Sequence, residues 1–271
     1  MALALYRLRY SVARPTIRGR SGVIRLGPVV AVLSLLLLVA ATPSAAQPAD
    51  PGPPPIGDVL KEMPRDLWHF VSWDTAIVLG VGAGAAGIGH IWDDNLSGEL
   101  ETNVRLNDAM EPGHTYGAFS FQVLIGTGMY ATGWFARKGK LAEAGADIMR
   151  AQLVSQAYVQ AIKYTAQRER PDGSNNLSFP SGHSASAFAT AGVLQRHYGW
   201  KLGVPATVVA AYVATARVHD NKHYLSDVIF GGAMGIAGER TITRRAGRYG
   251  LDVVPIVGGG RAGVLVSLQG R

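Results

Sequence analysis

From residue 141 onward apolar positions recur at helical spacing, and four segments read as helices: 142–166, 184–198, 204–217 and 223–240. Upstream, 58–70 reads as a short amphipathic helix with Leu60, Met63 and Leu67 on its apolar side. Two uncharged stretches rich in glycine and alanine come next, 75–92 and 115–136. Both are long enough to graze or cross a membrane but are only weakly hydrophobic. Their small residues let helices approach closely, in a bilayer or in a tight soluble bundle. Residues 93–113 join them as a polar, loop-like connection with Pro112-Gly113 as a breaker. In the tail the period changes. Runs 251–257 and 264–268 are rich in β-formers and flank a glycine-rich turn, which reads as a hairpin. A lone hairpin cannot span a bilayer, so it belongs on the bundle surface. Its turn lacks the Gly-Lys-Ser/Thr ending of a phosphate loop.

The chain opens differently. Arg7, Arg9, Arg14, Arg18, Arg20 and Arg25 precede an apolar run over 29–41, with small residues at Ser44 and Ala46. These are the three parts of a secretory signal, and cleavage after Ala46 fits a small-x-small site. The alternative is an uncleaved anchor helix, because 26–46 carries no charge. Either way the domain beyond the leader is exported, periplasmic or membrane-associated. A proline-rich stretch then forms a stiff linker. The whole pattern predicts an all-α helical bundle with a small C-terminal β-hairpin and an N-terminal signal or anchor. Its divisions are 1–46 for the leader, 47–57 for the linker, 58–245 for the bundle and 246–271 for the tail.

Charge changes the picture by where it lies. The net charge of +7 comes from 26 basic and 19 acidic residues. Without the six leader arginines, 20 basic residues remain against 19 acidic, a net of +1. The basicity belongs to the leader, and no nucleic-acid partner is implied. There is no cysteine, which excludes disulfides, thiolate nucleophiles and Cys-ligated zinc.

Three segments concentrate cations and histidines within otherwise apolar sequence. In the first, Lys163 and Arg170 are seven residues apart, about two helical turns, so both project from one face, and Pro171 marks a boundary at Arg170. The second, 179–184, runs Phe-Pro-Ser-Gly-His-Ser ahead of an alanine-rich helix. Ser181 or Ser184 can cap that helix, and Gly182 lets backbone N–H groups approach an anion closely. In the third, Arg217 is followed by His223 and Asp227, the last two at i, i+4 spacing on one helical face. There the carboxylate can accept the imidazole N–H and leave the other ring nitrogen free as a nucleophile. Three cations, a helix-start anion site, a free histidine and an oriented histidine suit phosphoryl transfer without a metal.

The order and spacing Lys-x6-Arg-Pro, Pro-Ser-Gly-His and Arg-x5-His-x3-Asp resembles the type 2 phosphatidic acid phosphatase (PAP2) superfamily, which also contains vanadium haloperoxidases. The resemblance covers 163–227 and implies roles for each matching residue. His223 is the nucleophile and Asp227 its orienting partner. His183 protonates the leaving group and then activates water. Lys163, Arg170 and Arg217 clamp the phosphate, with Ser181 and Gly182 completing the cradle. It implies no cofactor, and a phosphorylated lipid or small phosphate ester as substrate. One departure is Ala216, where the family usually has serine before the arginine.

Three rival readings are open on the sequence alone. A haloperoxidase would hold vanadate on the same residues, with His223 as its ligand. His219-Asp220-x-x-His223 resembles a divalent-metal cluster, although Asp220-Asn221 is also a good turn between helices. A lipid-binding bundle without catalysis would leave the buried cation and histidine set unexplained.

Overall fold

The computed structural model describes residues 52–96, 106–246, 249–258 and 261–270. The expected leader and residues 47–51 of the linker lie outside the described residues. The bundle consists of α1 (Ile56–His69), α2 (Trp73–Gly89), α3 (Asn107–Gly117), α4 (Phe119–Phe135), α5 (Gly139–Ala166), α6 (Gly182–Tyr198), α7 (Trp200–His219) and α8 (Leu225–Ala246). After it, β1 (Tyr249–Gly258) and β2 (Arg261–Gly270) pair antiparallel, with Tyr249 opposite Gly270 and Gly258 opposite Arg261.

Helix α6 is the centre, packed against α5, α7 and α8, while α2 lies along α8, α4 along α5 and α3 along α7. The sequence of α6 explains its place. It buries Ala185, Ala187, Phe188, Ala189, Ala191 and Val193 around its circumference, the mark of a helix enclosed on all sides. Glycines on α8 bring it very close. A Cβ on Gly231 would stand 2.4 Å from the carbonyl oxygen of Ser181, and one on Gly235 2.2 Å from that of Ala185. Only glycine permits that approach. The large core side chains Ile148, Phe188, Ile229, Met234, Ile236 and Ile242 fill the space around this contact.

A buried ion cluster ties the outer helices to the centre. Arg150 of α5 makes a two-pronged contact with Asp66 of α1, at 2.7 and 2.8 Å. It also reaches Asp147, which in turn meets His197 of α6 at 2.9 Å.

Several expected boundaries move. The connection 93–113 is not a loop throughout: Pro112 and Gly113 lie inside α3. Gly113 marks a helix contact, since a Cβ there would meet the Ala216 Cβ of α7 at 2.4 Å. The stretch 115–136 is divided at Ala118, whose extended backbone separates α3 from α4. Helix α5 ends at Ala166, with Gln167 in the left-handed region (φ 49°), so Arg170 does not share a helical face with Lys163. Helix α7 begins at Trp200, directly after Gly199 (φ 71°) closes α6. His223 lies before α8, because its N–H and that of Lys222 turn back to the carbonyl of Arg217 and Asn221 adopts φ 56°.

Candidate active site

The three motif segments meet at one end of the bundle. Lys163, in the last turn of α5, donates from Nζ to the carbonyls of Leu177 (2.5 Å) and Ser178 (3.4 Å). It thereby holds the loop that leads into α6. That loop folds on itself, with Arg170 N–H to Asn175 and Ser178 N–H to Arg168. It is fastened to the α7–α8 connection by Asp172 N–H to Asn221 and by the Lys222–Asp172 ion pair. At the start of α6, Ser181 caps the helix, its Oγ 3.4 Å from the Ser184 N–H. The Ser181 N–H donates to the carbonyl of Asp227 at 3.0 Å, joining the second segment to the third.

This folding brings Lys163, Arg217, His183 and His223 within electrostatic reach of one another, and Arg170 within reach of Lys163 and Arg217. Four buried nitrogens in the set have no hydrogen-bond partner: Nε of Arg170, Nε of Arg217, Nε2 of His183 and Nδ1 of His223. Leaving such groups unsatisfied costs about 1–3 kcal/mol each, more when charged; Nδ1 of His223 faces the Asp227 carboxylate, and the positive charge of Lys163, Arg170 and Arg217 gathered here favours an anion beside them. The other expected members are less direct. The Ser181 oxygen accepts from the N–H and the hydroxyl of Ser184, which leaves its own proton to donate beside the N-terminal backbone around Gly182.

Asp227 is held differently from the helical-face expectation. Nδ1 of His223 is 3.7 Å from its carboxylate, an ion-pair distance too long for a hydrogen bond. The carboxylate instead accepts from Arg168 (2.7 Å), the Ser178 hydroxyl (2.5 Å) and the Tyr224 N–H (2.9 Å). Arg168 also reaches Asp93 at 2.8 Å, and Asp93 accepts from the N–H and hydroxyl of Ser226. Burial pushes the Asp227 carboxyl upward, but His223, Ser178 and Arg168 outweigh it and hold the group below its ordinary range.

The same environment disfavours positive charge on the nitrogens. Burial, then the charges of Arg217 and neighbouring groups, lowers His183 to about 3. Burial lowers His223 to about 4 against the opposing pull of Asp227. Burial, with Arg170 and Arg217 nearby, lowers Lys163 to about 8. Both imidazoles are therefore neutral at neutral pH, and Lys163 is largely charged.

Sequence reasoning missed His114. It lies on α3, between the stretch read as loop (93–113) and the uncharged stretch 115–136, and a lone histidine there carries no motif. Its ring stacks on that of His183 (centroids 5.2 Å apart, 26° between planes), and its Nδ1 is 3.2 Å from an Arg217 amine. Asp93 and Arg168 were missed too, although Arg168 stands between the two cations of the first segment. Ala216 is explained by packing: it is fully buried against Gly113 of α3 rather than facing the phosphate clamps. The metal reading loses its geometry, since Asp220 binds Arg217 at 2.9 Å and no three potential ligands converge among the described residues.

Residues 144–248 match the family model of the PAP2 superfamily. The chain is 42% identical over 81 residues to a lipid A 1-phosphatase of Porphyromonas gingivalis, covering 29% of this chain and 18% of that protein. It is 35% identical over 63 residues to a lipid A 4'-phosphatase of Helicobacter pylori, covering 23% of this chain and 32% of that one. The chain thus spans less than a third of either curated relative. Its fold is similar to that of the transmembrane PAP2 type phosphatidylglycerolphosphate phosphatase from Bacillus subtilis. The TM-score is 0.54 at 23% identity, over 64% of this chain and 94% of the other.

Proposed function

The chain carries a PAP2 superfamily domain over residues 144–248, and from that premise we propose that it is a metal-independent phosphatase. Its substrate is a phosphate monoester or pyrophosphate, lipid-linked, and the reaction passes through a phosphohistidine on His223. The observation that carries this reading is the gathering of Lys163, Arg170 and Arg217 with His183 and His223 at one end of the bundle. A phosphate dianion answers the positive charge collected there.

In the first step Nε2 of His223 attacks phosphorus, an N–P bond forms, and the P–O bond to the leaving group breaks. His183 gives its proton to the departing oxygen. Burial and the surrounding cations hold His183 neutral, and a bound dianion offsets that cationic field. Protonation of the acid is therefore coupled to substrate binding. In the second step His183 takes a proton from water, the water oxygen bonds to phosphorus, and the N–P bond breaks to release inorganic phosphate. Asp227, fixed by Arg168 and Ser178, stabilises the charge that develops on His223. The clamps serve as the counter-charge that a metal would otherwise provide. The relatives bear phosphatase names, so nothing favours the haloperoxidase alternative.

Placement outside the cytoplasm rests on the leader. Membrane association is supported by Trp73–Leu96, long and apolar enough to cross a bilayer, with Trp73, Ile77, Val81, Ile88 and Ile91 exposed along it.

The test is to trap the adduct. An activated aryl phosphate leaves without needing a proton, so His183→Ala should complete the first step and stall at the second. The expected result is a product burst matching enzyme concentration and a phosphoryl group on His223, stable in alkali and labile in acid. His223→Ala should show neither. Turnover of the aryl ester by His223→Ala would overturn the reading.

A further inference from the structure

In both proposed steps His183 handles the proton, so its ring needs one orientation. Among the described residues no hydrogen bond holds that ring, and its Nε2 is buried without a partner. Packing on α3 orients it instead. The His114 ring stacks on it, with centroids 5.2 Å apart and planes 26° apart. Gly117 lies three residues on, along the same face of α3. A Cβ there would stand 2.9 Å from the His183 Cβ and 3.0 Å from its Cδ2, so the glycine leaves room for the ring.

Helix α3 is itself held in place. The Tyr212 hydroxyl of α7 donates to the carbonyl of Ala109 at 2.6 Å. Gly113 and Gly117 lie against α7, where added Cβ atoms would meet side chains of Ala216 at 2.4 Å and Val213 at 2.5 Å. His114 sits between these two close approaches. Its ring also bears on Arg217, whose Nη1 is 3.2 Å from His114 Nδ1 and 2.9 Å from an Asp220 carboxylate oxygen. A guanidinium only donates, so His114 Nδ1 accepts, and the neutral ring carries its proton on Nε2. Both hydrogens of Arg217 Nη1 are thereby used. The edge that bears the unpartnered Nε is the one left to an anion.

Resting on the phosphatase reading, we propose that His114 is a positioning residue of the reaction. Its ring keeps the His183 imidazole in the orientation that protonates the departing oxygen. Its Nδ1 keeps the Arg217 guanidinium turned with the Nε edge toward the phosphate. The first role matters in proportion to the leaving group's need for a proton, whereas the second is shared by every substrate.

The test compares phenyl phosphate with p-nitrophenyl phosphate on the purified full chain. The two esters share the phosphate and differ in how much the departing oxygen needs a proton. The readout is the ratio of kcat/KM for the phenyl ester over the nitrophenyl ester. It reports the first step and cancels any change in phosphate clamping. His114→Ala should lower the ratio about tenfold, and His114→Phe, which keeps a flat ring, should restore it to within about threefold. In a His183→Ala background, adding His114→Ala should leave the ratio unmoved, because the group it orients is gone. No turnover of either ester by the unaltered protein would sink the phosphatase reading itself. With both esters turned over, three results would overturn the positioning role alone. They are a ratio unchanged by His114→Ala, a further drop of the same size in the His183→Ala background, and loss of the melting transition in both His114 variants.

Discussion

Lys163 has the most labile charge among the proposed clamps, because burial and two neighbouring guanidiniums lower it to about 8. Arginine stays charged far above that range. A lysine with a lowered value is charged below it and loses its proton as pH rises through it. For the free enzyme, kcat/KM should accordingly hold through neutral pH and fall above about 8. On the acid side His223, lowered to about 4, stays neutral and nucleophilic well below neutrality. A pH profile with an aryl phosphate checks this, and Lys163→Arg should move the alkaline limb beyond about 10, whatever its absolute rate. An unbroken plateau to pH 10 in the native protein would place Lys163 away from the phosphate. At this scale the sequence was readable where chemistry repeats a motif, as with Lys163, Arg170, His183, Arg217 and His223. It was silent where a side chain matters only by fold-dependent proximity. His114 reaches Arg217 from 103 residues away, and Asp93 reaches Ser226 from 133.

Helices α6 and α8 owe their separation to Gly231 and Gly235, and the same interface sets the distance between the start of α6 and Asp227. Gly235→Ala puts a methyl 2.2 Å from a backbone carbonyl and 2.8 Å from a backbone nitrogen, neither of which moves without displacing a helix. Overpacking of this kind costs about 1–3 kcal/mol, a fall in Tm of roughly 2–10 °C for a domain of this size. Thermal unfolding with a parallel activity assay checks it. Activity should drop even well below the new Tm, because the displacement also pulls the Ser181 N–H from the Asp227 carbonyl. A variant of native stability and rate would show that the helices have slack. Helical periodicity located α5 and α6 well, since they carry long apolar faces. It failed for α3, because a Pro-Gly pair that ordinarily breaks a helix here lies inside one, with Gly113 facing Ala216. It also placed His223 on the helix of Asp227, but His223 precedes α8, and its Nδ1 stands 3.7 Å from the Asp227 carboxylate.

At the scale of the whole molecule, the candidate active site and the most apolar helix share an end. Asp93 terminates the uncharged stretch 75–92 and is itself buried, paired to Arg168 and bonded to Ser226 beside Asp227. If that stretch crosses the bilayer, its 18 residues at about 1.5 Å each extend about 27 Å, close to a hydrocarbon core of about 30 Å. The Asp93 end then lies at the boundary, where a headgroup phosphate and water are both within reach. The stripe of Trp73, Ile77, Val81, Ile88 and Ile91 would face lipid, and it is exposed in the protein itself. Since the chain contains no cysteine, single cysteines at Ile77, Val81, Ile88 and Ile91 can each carry one fluorophore in proteoliposomes. With bromine placed deep in the acyl chains, quenching should be greatest at Val81, nearest the midpoint of the stretch. It should be weakest at Ile77 and Ile91, each about 10 Å from that midpoint. A label on Asp108→Cys, exposed near the start of α3, should respond to an aqueous quencher instead. An interfacial helix would give equal, shallow quenching along the stripe, and a stripe covered by protein would give none. Either profile would remove the bilayer from the account of how substrate reaches His223.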